Sequence, residues 1–148
     1  MSLKAQITED MKTAMRAGDR DRLATVRLIL SAIKQREVDE RIQLDDAQVL
    51  SVLEKMVRQR RESIAQFESG GRADLVAKET AELNVLTAYL PAALTDAELD
   101  ALIAESIAAT GAASVKDMGK VMGLVKSKAA GRADMAAVGA KIKARLSS

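Results

Sequence analysis

Neither histidine nor cysteine occurs in this chain of 148 residues. Without cysteine there are no disulfides and no thiolate chemistry. Without histidine the commonest general base and the commonest transition-metal ligand are missing. Phe67 and Tyr89 are the only aromatic residues, so recognition of RNA by stacking bases on aromatic rings is weakly equipped. Pro91 is the single proline. No apolar run approaches the roughly 18 residues of a membrane span, so no membrane association is expected. Met1–Gln6 reads as the start of an amphipathic helix and lacks the apolar stretch of a signal peptide. The expected location is therefore cytoplasmic. There is no G-x-S-x-G elbow, no P-loop and no HExxH, which leaves catalysis by this chain alone unexpected and implies no metal and no cofactor.

What is present is aliphatic. Apolar residues make up 48% of the chain, and an interior of Leu, Ile, Val, Ala and Met favours helices over strands. The expected fold is all-α. Charge is unevenly spread: residues 1–90 carry 15 basic and 15 acidic groups, residues 91–114 four acids and no base, and residues 115–148 eight bases against Asp117 and Asp134. A basic C-terminal third attracts an anionic partner over about a Debye length; a lysine-rich solvated surface is the plainer alternative.

Pro91 breaks any helix running into it and pushes Leu90 out of the α region. The domain boundary is placed there, giving an N-terminal helical domain over 1–90 and a three-helix C-terminal domain over 91–148. Periodicity and caps predict four helices in the first: about Leu3 to Ala17, closed by Gly18; Asp19 to Glu40; Asp45, with Gln48 completing a capping box, to Gly70-Gly71; and Arg72 to Tyr89. The second has Thr95–Glu98 as a capping box with closure at Gly111, then a helix capped by Ser114 ending near Ala130-Gly131, then one capped by Asp134. Gly71-Arg72-Ala73-Asp74 recurs as Gly131-Arg132-Ala133-Asp134; in both, Gly suits a left-handed turn and Asp the start of the next helix.

Two arginines and two glutamates fall on faces that should be buried. Arg60 lies within the stripe of Val49, Val52, Leu53, Met56, Ile64 and Phe67, and Arg27 lies near that of Leu23, Val26, Leu30 and Ile33. Glu79 and Glu82 flank the stripe of Leu75, Leu83 and Leu86. Buried charge is costly unless paired, so Arg27 and Arg60 are expected to pair with Glu79 and Glu82 in a structural network; a polar ligand pocket is the alternative. In the sixth helix Val115, Met118, Val121, Met122 and Val125 share one face, while Gly119 and Gly123 lie beside Lys116 and Lys120. A glycine inside a helix costs about 1 kcal/mol relative to alanine. Two of them call for close approach of another surface, either a crossing helix or an RNA backbone.

The motifs taken together resemble the GatB/YqeY family: Asp10-Met11-Lys12, Arg22 to Arg27, Arg58 to Ile64, Lys78-Glu79, Tyr89-Leu90-Pro91, Lys116 to Gly123 and Gly131 to Asp134. The resemblance spans essentially the whole chain. It implies the same two-part helical fold and kinship with the tail of the GatB component of glutamyl/aspartyl-tRNA amidotransferase, which helps recognise tRNA while the chemistry lies elsewhere. By this resemblance the RNA face comprises Lys116, Gly119, Lys120, Gly123, Lys128 and Arg132, with Lys126, Lys141 and Arg145 adding charge. Ser127, Ala130 and Met135 depart from the family pattern, and loss of a lysine at 130 weakens the phosphate-binding case. The function so implied is a non-catalytic module that binds tRNA or serves an amidotransferase or other protein partner. The alternatives are a component of a carbon–nitrogen ligase using glutamine as amido-N-donor, and an adaptor that binds no RNA.

Overall fold

The chain's helices stop where its caps say they should. In a computed structural model that describes residues 1–129 and 132–147, seven α-helices are seen and no strand occurs among the described residues. The all-α expectation holds. The helices are α1 (Leu3–Ala17), α2 (Arg20–Glu40), α3 (Asp46–Ser69), α4 (Ala73–Thr87), α5 (Asp96–Thr110), α6 (Met118–Ala129) and α7 (Met135–Ser147), with a 3-10 turn at Val115–Asp117. They divide into two compact units, Met1–Leu90 and Pro91–Ser148. No helix among the described residues is long and apolar enough to cross a membrane.

Local chemistry explains the helix ends. Both sequence-expected capping boxes form: Asp45 accepts the Gln48 N–H at 2.9 Å while Gln48 accepts the Asp45 N–H, and Thr95 and Glu98 do the same around α5. Gly18 and Gly111 take left-handed conformations that free the last carbonyls to bond past the helix end. The α2 terminus is different. Arg41 occupies the left-handed region at φ +56° with a full side chain, a conformation costing about 1–2 kcal/mol for an L-residue. Replacing Arg41 by Gly is expected to raise the urea-unfolding free energy by about 0.5–1 kcal/mol, the larger entropy of an unfolded glycine offsetting part of the relief.

Two expected boundaries differ. Ser114 makes no side-chain cap; the chain first makes a 3-10 turn, in which Asp117 accepts the Ala113 N–H at 3.0 Å, and α6 starts at Met118. Val115 is consequently exposed and not part of the apolar face. Helix α4 stops at Thr87, two residues earlier than expected: Ala88 keeps a helical backbone, but the chain tightens into i→i−3 bonds, Tyr89 N–H to the Leu86 carbonyl and Leu90 N–H to that of Thr87, before Pro91. Asp134 does bond the start of α7, accepting the Ala136 N–H at 3.1 Å. The expected end of α6 at Ala130-Gly131 lies outside the described residues.

Each unit buries its own aliphatic core. In the first, Ile7 of α1, Val26, Ile29 and Ile33 of α2, Val49 and Leu53 of α3, and Leu86 of α4 are fully buried. In the second, Ile103 of α5, Val121 and Val125 of α6, and Val138 and Ile142 of α7 close a smaller core. Each such side chain contributes about 1.5–3 kcal/mol by leaving water. Gly139 faces α6, where a Cβ would lie 3.7 Å from Met118 Cε and 3.8 Å from Met122 Cε, ordinary packing distances.

Candidate nucleic-acid interface

Helix α6 buries Val121, Val125 and Ala129, one residue per turn. The opposite side therefore points outward. At 100° per residue Gly123 falls roughly 160° from Val125, with Lys120 on one flank and Lys126 on the other. Gly119, Lys120, Gly123 and Lys126 are all exposed or half-exposed. A Cβ built at Gly119 or Gly123 would meet nothing within 4 Å. Among the described residues nothing in the second unit packs against either position, so packing within that unit does not account for the two glycines. The backbone of α6 is bare along this face, with lysines on both flanks.

The candidate cations separate into groups. Lys116, in the 3-10 turn just before α6, and Lys120, Lys126 and Lys128 make no ion pair among the described residues. Lys128 is exposed but lies near the edge of the buried face, roughly 60° from Val125. Lys141 is engaged, its ammonium 3.3 Å from Asp100 and 3.8 Å from Asp96 on α5. Arg145 donates to the Asp100 carbonyl at 3.4 Å. Arg132 is held within the fold. Its Nε donates to the Ala92 carbonyl at 2.9 Å, and its own carbonyl accepts the Leu94 N–H at 2.8 Å. It clasps the segment after Pro91 to the start of α7. Asp117 lies in the 3-10 turn that leads into this face. The Ala113 N–H, then the Ser114 N–H and Lys120, hold its carboxyl below the usual range, so it stays ionised and subtracts one charge.

In the first unit the structure brings Arg60 together with both glutamates. Its Nε lies 2.8 Å from Glu82 Oε2 and 3.2 Å from Glu79 Oε2, with all three side chains about four-fifths buried. Arg60 Nε and Glu79 Oε2 lack an aligned hydrogen bond among the described residues, so the attraction is one of charge. Burial pushes the Glu79 carboxyl above its ordinary range, Arg60 opposes this, and the nearby Glu82 carboxylate adds to the rise.

Arg27 does not join them; it is exposed and makes no ion pair among the described residues. The reason is a rotation of α2. Its buried positions are Thr25, Val26, Ile29, Ile33 and Glu37, whose centre lies roughly 130° from Arg27. Leu23 and Leu30, which periodicity puts on the buried stripe, are only half-buried.

Sequence reasoning misses Glu37, the most enclosed carboxylate among the described residues. Its side chain is 7% exposed. Both oxygens accept from Lys4 Nζ at 2.8 Å, and Oε2 also accepts the Leu44 N–H at 2.9 Å. These bonds, against the opposing effect of burial, hold its carboxyl below the ordinary range. It ties the start of α1 and the α2–α3 loop to the end of α2. A carboxylate spaced one turn beyond Ile33 on the buried stripe is the signal that could have found it. Tyr89 plays a similar part, its hydroxyl donating to Asp10 Oδ2 at 2.6 Å; burial, then that bond, push its phenol upward.

Comparison with known proteins sets this geometry in context. The family model described as Yqey-like protein matches residues 4–146. Among curated relatives, "Altered inheritance of mitochondria protein 41, mitochondrial" of Eremothecium gossypii is 41% identical over 103 residues, covering 69% of this chain and 56% of that protein. Its namesake in Kluyveromyces lactis is 39% identical over 105 residues, covering 68% and 56%. That in Saccharomyces cerevisiae is 35% identical over 92 residues, covering 62% and 50%. The chain thus spans about half the length of the curated relatives it matches. Their names overturn the expected cytoplasmic location, since each is called mitochondrial. The lack of an apolar leader bears only on secretion, whereas mitochondrial leaders are amphipathic and have no apolar core. With the family model matched from residue 4 to residue 146 of a two-unit, all-helical chain, the chain belongs to the Yqey-like protein family.

Proposed function

We propose that this chain is a non-catalytic RNA-binding module that holds the backbone of a folded RNA such as tRNA against the outer face of α6. The observation that carries the reading is the open glycine face: Gly119 and Gly123 have no neighbour within 4 Å of an added Cβ, and the adjacent Lys116, Lys120 and Lys126 make no ion pair among the described residues. Gly123 sits inside the helix, so its N–H is already committed to the preceding turn. What the glycines offer is proximity. A phosphate reaches the helix surface, and ammonium groups converge on it from both flanks. With no ring on this face, such contacts read shape and charge and not base identity. The likeness to the amidotransferase tail supports tRNA as the RNA, with any carbon–nitrogen ligation performed by a partner.

Binding to bulk tRNA, followed by filter retention, is expected to show a log–log salt slope of about −3, the value for three or four neutralised phosphates. Lys116→Glu with Lys120→Glu is expected to abolish most of the binding and flatten the slope. Salt-insensitive binding, or retention unchanged in that double variant, would overturn the proposal.

A further inference from the structure

On the first unit, the outer face of α2 borders a shallow, open groove that Met11 of α1 reaches. Met11, Arg27, Leu30, Ser31, Lys34 and Val38 line about 490 Å³ of it. Lys34 and Val38 also border a second depression of about 340 Å³, which continues past Arg41 and Ile42. The two share a wall, so the groove runs from Arg27 to Arg41. At 1.5 Å per residue that is roughly 20 Å, the length of about four helical turns.

The lining has two characters. Its apolar part is exposed: Met11 and Leu30 are half-buried, while Val38 on α2 and Ile42 in the loop after it are 59% and 37% exposed. Its charge is of one sign. Arg27, Lys34 and Arg41 make no ion pair among the described residues. Glu37 is the one acidic residue among those lining it, and its oxygens are taken by Lys4 and the Leu44 N–H. Asp39, one turn beyond Gln35, is bonded by it at 2.9 Å.

We infer that this groove docks an acidic amphipathic helix of a partner protein, its apolar face on Leu30, Val38 and Ile42 and its carboxylates on Arg27, Lys34 and Arg41. Charge complementarity selects the partner: at about 100° per residue Arg27, Lys34 and Arg41 run down the middle of this face with Leu30 and Val38 on either side, and they are matched by a helix that carries Asp or Glu at every seventh position with apolar residues beside them. A nucleic acid would place phosphates against Leu30, Val38 and Ile42 with no ring to stack on. The site is separate from the α6 face, so either proposal stands without the other.

The test uses the full chain, isotopically labelled, and a synthetic peptide of about 18 residues built of Leu, Ala and Glu with that amphipathic spacing. Saturable amide shifts are expected along Arg27 to Ile42 and at Met11. Arg27→Glu with Lys34→Glu is expected to weaken the peptide about tenfold, and Val38→Asp comparably. All three positions are exposed, so the variants should keep the parent's circular dichroism. Lys116→Glu with Lys120→Glu, which should remove tRNA binding, is expected to leave peptide affinity unchanged. The inference is overturned by absence of saturable binding, by equal binding of a scrambled peptide of the same composition, or by shifts centred elsewhere. It is also overturned if anionic phosphatidylglycerol vesicles or tRNA move the groove amides while the peptide does not.

Discussion

Replacing Gly119 and Gly123 together by alanine is expected to make this protein more stable and its RNA complex weaker. Alanine exceeds glycine in a helix interior by about 1 kcal/mol. The full amount applies to Gly123, in mid-helix, and less to Gly119, in the first turn of α6. Nothing within 4 Å of either added methyl opposes the gain, so slowed amide exchange within α6 should report it directly. In the complex the methyls stand where a phosphate would lie. Holding the phosphate off the helix surface, with the lysines still reaching it, is expected to weaken binding about tenfold, or about 1.4 kcal/mol. Because no charge changes, the salt slope should stay that of the parent while affinity falls at every salt. That pattern separates close approach from long-range attraction, since exchanging the lysines alters the slope itself. If the double alanine variant binds tRNA as the parent does, the glycines take no part and the lysines act only as a diffuse field.

Much of the fold was legible because it rests on local chemistry. Gly18, Gly111, the Asp45–Gln48 and Thr95–Glu98 boxes and Pro91 act within a few residues of themselves; the structure places helix ends at the first four and the boundary between the two units at Pro91. The misread features depend on partners distant in sequence. The α2 wheel carries two overlapping apolar arcs, Leu23 and Leu30 on one side and Ile29 and Ile33 on the other. Only packing against α1 and α3 decides between them, and that choice also turns Arg27 outward. Glu37 reaches Lys4 across 33 positions, which no spacing rule reveals. The candidate site was half legible. Placing Gly119 and Gly123 beside Lys120 followed from helix periodicity, but the engagement of Lys141 by Asp96 and Asp100, and of Arg132 by Ala92, required the α5–α7 contacts and the turn after Pro91.

Two glutamates in the first unit are expected to give acid-dependent stabilities of opposite sign. For Glu37 the folded carboxyl titrates below its ordinary value of 4.5, chiefly through Lys4 and the Leu44 N–H. The folded state then holds fewer protons than the unfolded chain between the two values, so stability rises with pH across that window. The contribution is complete above 4.5 and is lost as pH falls through the lowered folded value. Glu37→Gln should therefore melt several degrees below the parent near neutrality, with the gap closing in acid. For Glu79 burial dominates, and the folded carboxyl titrates above 4.5. Here the folded state holds more protons within the window, so stability falls as pH rises from 4.5 through the raised value. Glu79→Gln removes that penalty while Glu82, at 2.8 Å, still neutralises Arg60. The variant should match or exceed the parent at neutral pH and lose its advantage in acid. Thermal melts of both variants from mildly acidic to neutral pH read the two trends side by side. Parallel curves would show that the Arg60 pairing, and not burial, governs Glu79.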